Sequence, residues 1–99
     1  MPAITQFARF KSDNAEEMVK TAKQSKAIFE KHGAEYLRMS RFHTGAWAGK
    51  WLIVTRYASW EVYGKVQEAV GKDEFAKLMA STATIAQLMD RNISVGVDL

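Results

Sequence analysis

The sequence predicts an α+β fold, a split βαβ sandwich with one four-stranded antiparallel sheet and its helices on one face. Read by hydrophobic periodicity, the 99 residues run strand, helix, strand, strand, helix, strand. The two middle strands are joined by a short glycine-bearing segment, whereas the outer connections are helical crossovers. Neither middle strand has a wholly polar side, so the face of the sheet away from the helices is not built to stay in water.

Ile4 to Phe10 (ITQFARF) is short, β-branched and aromatic, and reads as the first strand. Ser12, Asp13 and Asn14 then offer cap oxygens, and Asp13 with Glu16, or Asn14 with Glu17, has capping-box spacing. Met18, Ala22, Ser25 and Phe29, with Ala15, Val19 and Ile28 beside them, make one stripe at helical spacing. Gly33 follows Lys31-His32 and suits the position just past a helix end, where positive φ is needed. The first helix is therefore expected from about Asn14 to His32.

Glu35 to His43 reads as the second strand, Thr44 to Gly49 as a hairpin loop, and Lys50 to Tyr57 as the third strand. Ser59 caps a second helix starting at Trp60, with Val62, Tyr63, Val66 and Val70 on its apolar side. Gly71-Lys72-Asp73 interrupts that pattern. Asp73 can cap a further helix in which Phe75, Leu78 and Met79 point inward, and helix is read on to about Met89. Asn92 to Val97 alternates polar with apolar and reads as the fourth strand. Right-handed crossovers put strands 1 and 3 at the centre, giving the spatial order 4-1-3-2.

Composition excludes several classes of function. A length of 99 residues suits one domain spanning 1–99. There is no cysteine, hence no disulfide, thiolate nucleophile or cysteine-held metal, which fits a reducing cytoplasm. No apolar run approaches a membrane span, and the N-terminus lacks a basic segment followed by an apolar one, so neither membrane nor signal peptide is expected. The net charge is +3, but the lysines of the first helix (Lys20, Lys23, Lys26, Lys31) are interleaved with Glu16, Glu17 and Glu30. That is a solvated face and not a nucleic-acid footprint; a weak preference for anionic ligands is all it implies. Gly45 to Gly49 lacks the spacing and ending of a phosphate loop, and the two histidines have no matching carboxylate spacing for a metal. No cofactor and no metal are expected.

The middle strands alternate Tyr36, Arg38, Ser40, Phe42 against Leu37, Met39, Arg41, His43, and Trp51, Ile53, Thr55, Tyr57 against Leu52, Val54, Arg56. Either choice of outward side leaves apolar surface that a second copy would cover. Leu52, Val54 and Trp47, the last in the hairpin loop, are the expected dimer-interface residues.

On these elements the chain resembles the dimeric α/β-barrel (ferredoxin-like) superfamily, which includes antibiotic-biosynthesis monooxygenases, small polyketide cyclases and stress-responsive barrel proteins. The local echoes are Gly33-Ala34-Glu35-Tyr36-Leu37-Arg38-Met39 and Leu52-Ile53-Val54-Thr55-Arg56-Tyr57-Ala58-Ser59. The monooxygenase pattern is an apolar run, then Glu, any residue and Trp, with a His in the next helix. Here Thr55, Tyr57 and Val66 stand at those places. The resemblance implies a homodimer whose sheets form a barrel, with ligands held between sheet and helices or near the barrel interior.

The residues themselves offer few chemical groups. His43 at the end of strand 2 is the one neutral-range candidate for a general base, against the plainer reading of a strand-end surface residue. His32 reads as a helix C-terminal cation. Arg38 and Arg56, if either faces the helices, would need an anion such as a carboxylate or enolate; otherwise they are solvated or paired, for instance with Glu35 or Glu61. Ser40 and Thr55 could add hydrogen bonds, without any nucleophile-elbow or triad pattern to activate them. Tyr36 and Trp60 are candidate walls of a slot for a ring-shaped ligand. The expectation is a homodimer of unassigned activity that binds a small aromatic or anionic molecule; the alternative is a cofactor-independent monooxygenase or cyclase.

Overall fold

The structure, a computed structural model, describes residues 3–70 and 72–99, with the side chains of 70, 73–76 and 79 outside the description. Its elements are β1 (Ile4–Lys11), α1 (Ala15–Lys31), β2 (Tyr36–Arg41), β3 (Trp51–Tyr57), α2 (Trp60–Val70), α3 (Asp73–Thr82) and β4 (Gln87–Val95). One antiparallel sheet has the order β2-β3-β1-β4, so β1 and β3 are central, as the crossovers predicted. The molecule is only 17 Å thick along its short axis, the depth of one sheet and one helical layer.

Helix α1 starts and stops where its sequence signals lie. The Asn14 side chain accepts from the Glu17 backbone N–H at 3.1 Å, and Glu16 and Glu17 place negative charge in the first turn. His32 is the C-terminal cap, and Gly33 follows at φ +122°. A Cβ at Gly33 would also lie 3.2 Å from Val62 Cγ1. Gly33→Ala therefore forces both a strained backbone and a tight contact with α2. It should cost about 1–3 kcal/mol in a denaturant titration; an unchanged midpoint would show that the turn relaxes freely. Glu30, in the last turn of α1, accepts from the Leu37 backbone N–H at 3.2 Å and pairs with Lys26. The Lys26 ammonium chiefly holds the Glu30 carboxyl below the usual carboxylate range.

The buried face of α1 carries Met18, Thr21, Ala22, Ser25 and Phe29. Two clusters fill the space between helices and sheet. The larger joins Ile4, Phe29, Ala34, Leu37, Tyr57 and Val66; the smaller joins Met18, Trp51 and Ala86. Register assigns the faces. Ile4, Gln6, Ala8 and Phe10 of β1, Leu37 and Met39 of β2, and Trp51, Ile53, Thr55 and Tyr57 of β3 look toward the helices. Thr5, Phe7, Arg9, Tyr36, Arg38, Ser40, Leu52, Val54 and Arg56 look away.

The C-terminal third departs from the sequence expectation. Helix was expected to about Met89 and strand from Asn92 to Val97; α3 instead ends at Thr82 and β4 occupies Gln87–Val95. Hydroxyl side chains end the helix by taking its carbonyls: Thr82 Oγ1 donates to Leu78 O at 2.8 Å and Thr84 Oγ1 to Ser81 O at 2.7 Å. Ser12 Oγ then donates to Ile85 O at 2.6 Å and fixes the turn against the end of β1. Pairing with β1 overrides the helical propensity of Gln87-Leu88-Met89. A bulge intervenes, because Arg9 opposes Asp90 while Phe10 opposes Leu88, and the extra residue Met89 breaks the alternation that would have shown a strand. The expected strands 2 and 3, Glu35 to His43 and Lys50 to Tyr57, run past the regular strands at Arg41 and Trp51; Phe42 still donates its backbone N–H to Lys50 O at 3.0 Å, and His43 belongs to the connection. At the interruption expected over Gly71-Lys72-Asp73, α2 ends at Val70 and α3 starts at Asp73, while Gly71 itself lies outside the described residues. The inward direction of Phe75 and Met79, the Val70 side of α2 and the Asp73 side-chain cap lie outside the described side chains. Leu78 is half-buried.

Candidate functional site

Between the helix-facing side of the sheet and the helical layer lies a cavity of about 270 Å³. Its existence follows from small residues where a filled core would carry large ones: Ala8 on the central strand β1, Ala22 and Ser25 on α1, and Ala83 and Ala86 in the turn before β4. Met18, Phe29, Leu37, Ile53 and Phe10 form the apolar walls. The two lining side chains from β4, Leu88 and Arg91, are exposed, so the cavity meets solvent along that edge of the sheet.

One region of the lining is polar. Gln6, Thr55 and Gln67 face the cavity, with Arg91 from β4. Gln6 is 8% exposed, and its Oε1 is buried without a hydrogen-bond partner among the described residues. Thr55, directly opposite Gln6 in the β1–β3 register, is 2% exposed. Tyr57 lies two residues further along β3, fully buried. Burial pushes its phenol up to about 12; neighbouring Tyr63 adds to this, while Gln67, Thr55 and Arg91 pull the other way. Gln67 and Thr55 lie close to the Tyr57 hydroxyl without completing a well-formed hydrogen bond to it. Two amides, a hydroxyl and a guanidinium thus line one part of an otherwise apolar space, with the neutral Tyr57 phenol buried behind Thr55 and Gln67.

The residues expected from sequence to bind a ligand lie elsewhere. Tyr36, Arg38, Ser40 and Arg56 are on the face of the sheet away from the helices and do not line the cavity. Arg38 stacks over the Tyr36 ring at 4.1 Å, and Arg56 pairs with Glu35 at 3.0 Å, the partner named as the plainer alternative. Trp60 is 55% exposed on the first turn of α2, edge-on to Tyr63 at 5.7 Å. His43 is exposed in the β2–β3 connection, outside the cavity lining. Of the residues at the places of the monooxygenase pattern, Thr55 lines the cavity, and Tyr57 and Val66 are fully buried beside it.

The expected interface residues share the uncovered face. Leu52 and Val54 sit there half-buried, next to Phe7 across the β1–β3 register. Trp47, from the hairpin loop, lies under the Arg9 guanidinium at 3.5 Å. Arg9 is in turn held by Asp90 of β4, its Nε donating to Oδ1 at 2.7 Å. Charged and polar groups (Arg38, Arg56, Arg9, Ser40) thus ring an apolar centre on this face.

Sequence reading missed Gln6, Gln67 and Arg91. The signal for Gln6 was present: among Ile4, Gln6, Ala8 and Phe10, an amide and a methyl interrupt a large apolar set. Arg91 was hidden by the bulge that disguised β4. Among the described residues no three His, Asp or Glu side chains gather as a metal site requires, and no helix is long and apolar enough to cross a membrane.

No family model and no curated protein matches this chain. Solved structures do match it over nearly its whole length. SnoaB, a cofactor-independent oxygenase from Streptomyces nogalater, superposes with a TM-score of 0.74 at 11% identity, covering 100% of this chain and 97% of its own. A conserved protein of unknown function from Bacteroides thetaiotaomicron gives 0.74 at 14% identity, covering 95% and 97%. A dimeric ferredoxin-like protein from an uncultured marine organism gives 0.70 at 17% identity, covering 100% and 97%. The ferredoxin-like fold is thereby shared with these proteins.

Proposed function

We propose that this chain is a homodimeric α/β-barrel protein that binds a small aromatic molecule between its sheet and its helices. One observation carries the reading: a cavity with apolar walls contains a buried amide, Gln6, whose oxygen has no partner among the described residues. Apolar walls with a few convergent polar groups characterise ligand pockets. An orphaned buried acceptor is costly unless a ligand or water serves it. A cavity of about 270 Å³ that opens to solvent has room for a ligand of two fused rings.

The homodimer rests on the uncovered face, where Phe7, Leu52 and Val54 form an apolar centre with a charged rim, the anatomy of a protein interface. The marine protein of the same fold is described as dimeric, which supports pairing here. The cysteine-free composition fits a reducing cytoplasm.

An oxygenase or cyclase of the SnoaB kind is the second reading, favoured by the shared fold. Binding is preferred over it on the chemistry of the lining. Among the described lining residues there is no His, Asp or Glu to take a proton. The Tyr57 phenol, held protonated up to about 12, can donate a hydrogen bond but is no base at neutral pH.

Calorimetric titration with 2-naphthol tests the reading. The wild type should bind saturably. Ala8→Leu, which puts three carbons into the cavity from the central strand, should weaken binding at least tenfold while leaving the melting temperature unchanged or raised. Equal affinity in the two proteins, or no saturable binding by the wild type, would refute it.

A further inference from the structure

Two polar groups of the cavity, Gln6 and Arg91, have no counterpart among the described residues, and they are neighbours. Arg91 lines the cavity from the exposed edge strand and makes no ion pair among the described residues. Arg9, Arg56, Lys26, Lys65 and Lys72 all have carboxylate partners. Gln6 lines the cavity from the central strand and is more than nine-tenths buried, its Oε1 unserved. In the β1–β4 register Gln6 opposes Ile93 and Ala8 opposes Arg91, so Gln6 and Arg91 are diagonal neighbours on the same face, with backbones roughly 7–8 Å apart. Ala8, between them and without bulk, leaves the space over the sheet open.

We propose that the cavity is a site for a flat aromatic carboxylic acid bearing a hydroxyl, its carboxylate on Arg91 and its hydroxyl donating to Gln6 Oε1. The inference rests on the reading of the cavity as a ligand site and goes beyond it by fixing the charge and orientation of the ligand. The planar guanidinium fork matches a carboxylate in two parallel hydrogen bonds. Its place at the open edge keeps the charged end of the ligand near water, so the carboxylate is not forced into the apolar depth. The rings then lie against Met18, Phe29 and Ile53. Gln6 accepts a proton donor and cannot itself neutralise a charge, which assigns the hydroxyl and the carboxylate to different residues. The net charge of +3 also favours approach of an anion. The anion-binding role that the sequence suggested for Arg38 or Arg56 thus falls to an arginine on the cavity side of the sheet.

Three probes separate the parts by calorimetric titration of the full chain: 2-naphthamide, 2-naphthoate and 4-hydroxy-2-naphthoate. The wild type should bind 2-naphthoate at least tenfold more tightly than the amide, and the hydroxy acid more tightly again. Arg91→Gln should remove the preference for acid over amide while leaving amide affinity within about twofold, which also shows that the variant is folded. Gln6→Leu should remove the advantage of the hydroxyl while keeping the preference for the acid. Equal binding of acid and amide by the wild type, or an equal loss of both in Arg91→Gln, would overturn the proposal and leave the ligand cavity standing. A hydroxyl without effect in the wild type would overturn the role of Gln6. Failure of all three probes to bind would remove both the proposal and the reading it rests on.

Discussion

The double substitution Leu52→Asp, Val54→Asp should convert the proposed homodimer to a monomer in sedimentation velocity at micromolar concentration. Both side chains lie on the face away from the helices, Val54 opposite Phe7 and Leu52 opposite Arg9. Each is half-buried by its own sheet neighbours alone, which leaves its outer surface for a partner. Burying one such side chain contributes about 1.5–3 kcal/mol. In a two-fold dimer every substitution counts twice, so losing a single position costs about 3–6 kcal/mol before any charge is considered. That alone raises Kd by roughly 10²–10⁴-fold. The four carboxylates must also leave water on association, a desolvation cost that Arg9 and Arg38, directly across from positions 52 and 54, offset only in part. Arg38→Ala, on the rim of the same face, should change Kd by less than tenfold, because exposed charges carry little association energy. A wild type that sediments as a single subunit at these concentrations would remove the interface, and a double variant that stays dimeric would move it to another face.

Legibility from sequence differed sharply along the chain. The first two-thirds carry local signals that agree with the tertiary structure. Asn14 caps, Gly33 stops, the β1 and β3 alternations separate inward from outward residues, and the hairpin loop holds Gly45 and Gly49, both at positive φ. In the last third the local signals and the tertiary structure conflict. Gln87-Leu88-Met89 favours helix, yet the open edge of β1 offers a full ladder of backbone hydrogen bonds from Ile4 to Lys11, and that pairing wins. The bulge at Met89 then shifts the inward set of β4 to Leu88 on one side and Arg91, Ile93 and Val95 on the other. No period-2 template aligned across that point recovers both halves.

The site was less legible than the fold for the same reason. Arg38 and Arg56 were the visible arginines because their strands were plainly strands, but alternation does not say which side of a sheet the helices cover. That choice is made by bulk on the other elements: Phe29 and Val66 meet Leu37 and Tyr57, so the Leu37 and Tyr57 sides turn inward and carry Arg38 and Arg56 outward. The cavity is a collective product of small residues on β1, α1 and the α3–β4 turn, and none of these is unusual taken singly. What could have been read is the inward set of β1. A sandwich core that meets Gln6 and Ala8 where it needs two large apolar side chains must either collapse or hold something.

Tyr57 sets the second large effect. It is fully buried, it stands edge-on to Tyr63 at 5.2 Å, and Tyr63 is in turn edge-on to Trp60 at 5.7 Å. Tyr57→Ala removes the ring at the junction of β3, α2 and the larger core cluster and should cost about 3–5 kcal/mol. That is a large share of the 5–15 kcal/mol typical of a domain, so the variant should be partly unfolded at 37 °C in circular dichroism. Tyr57→Phe keeps the ring and gives up only a hydroxyl with poorly formed polar contacts, so its loss should stay near 1 kcal/mol. The two proteins then part at alkaline pH. An unfolded tyrosine loses its proton near pH 10, while the folded Tyr57 keeps its own up to about 12. Between these values the unfolded state binds fewer protons, so this group's contribution is complete below pH 10 and falls as pH rises toward 12. That difference amounts to roughly 3 kcal/mol at most. Urea midpoints at pH 9, 10, 11 and 12, at one protein concentration, should therefore drop more steeply for the wild type than for Tyr57→Phe. Parallel declines in the two proteins would mean that the phenol is open to water and not sealed in the core.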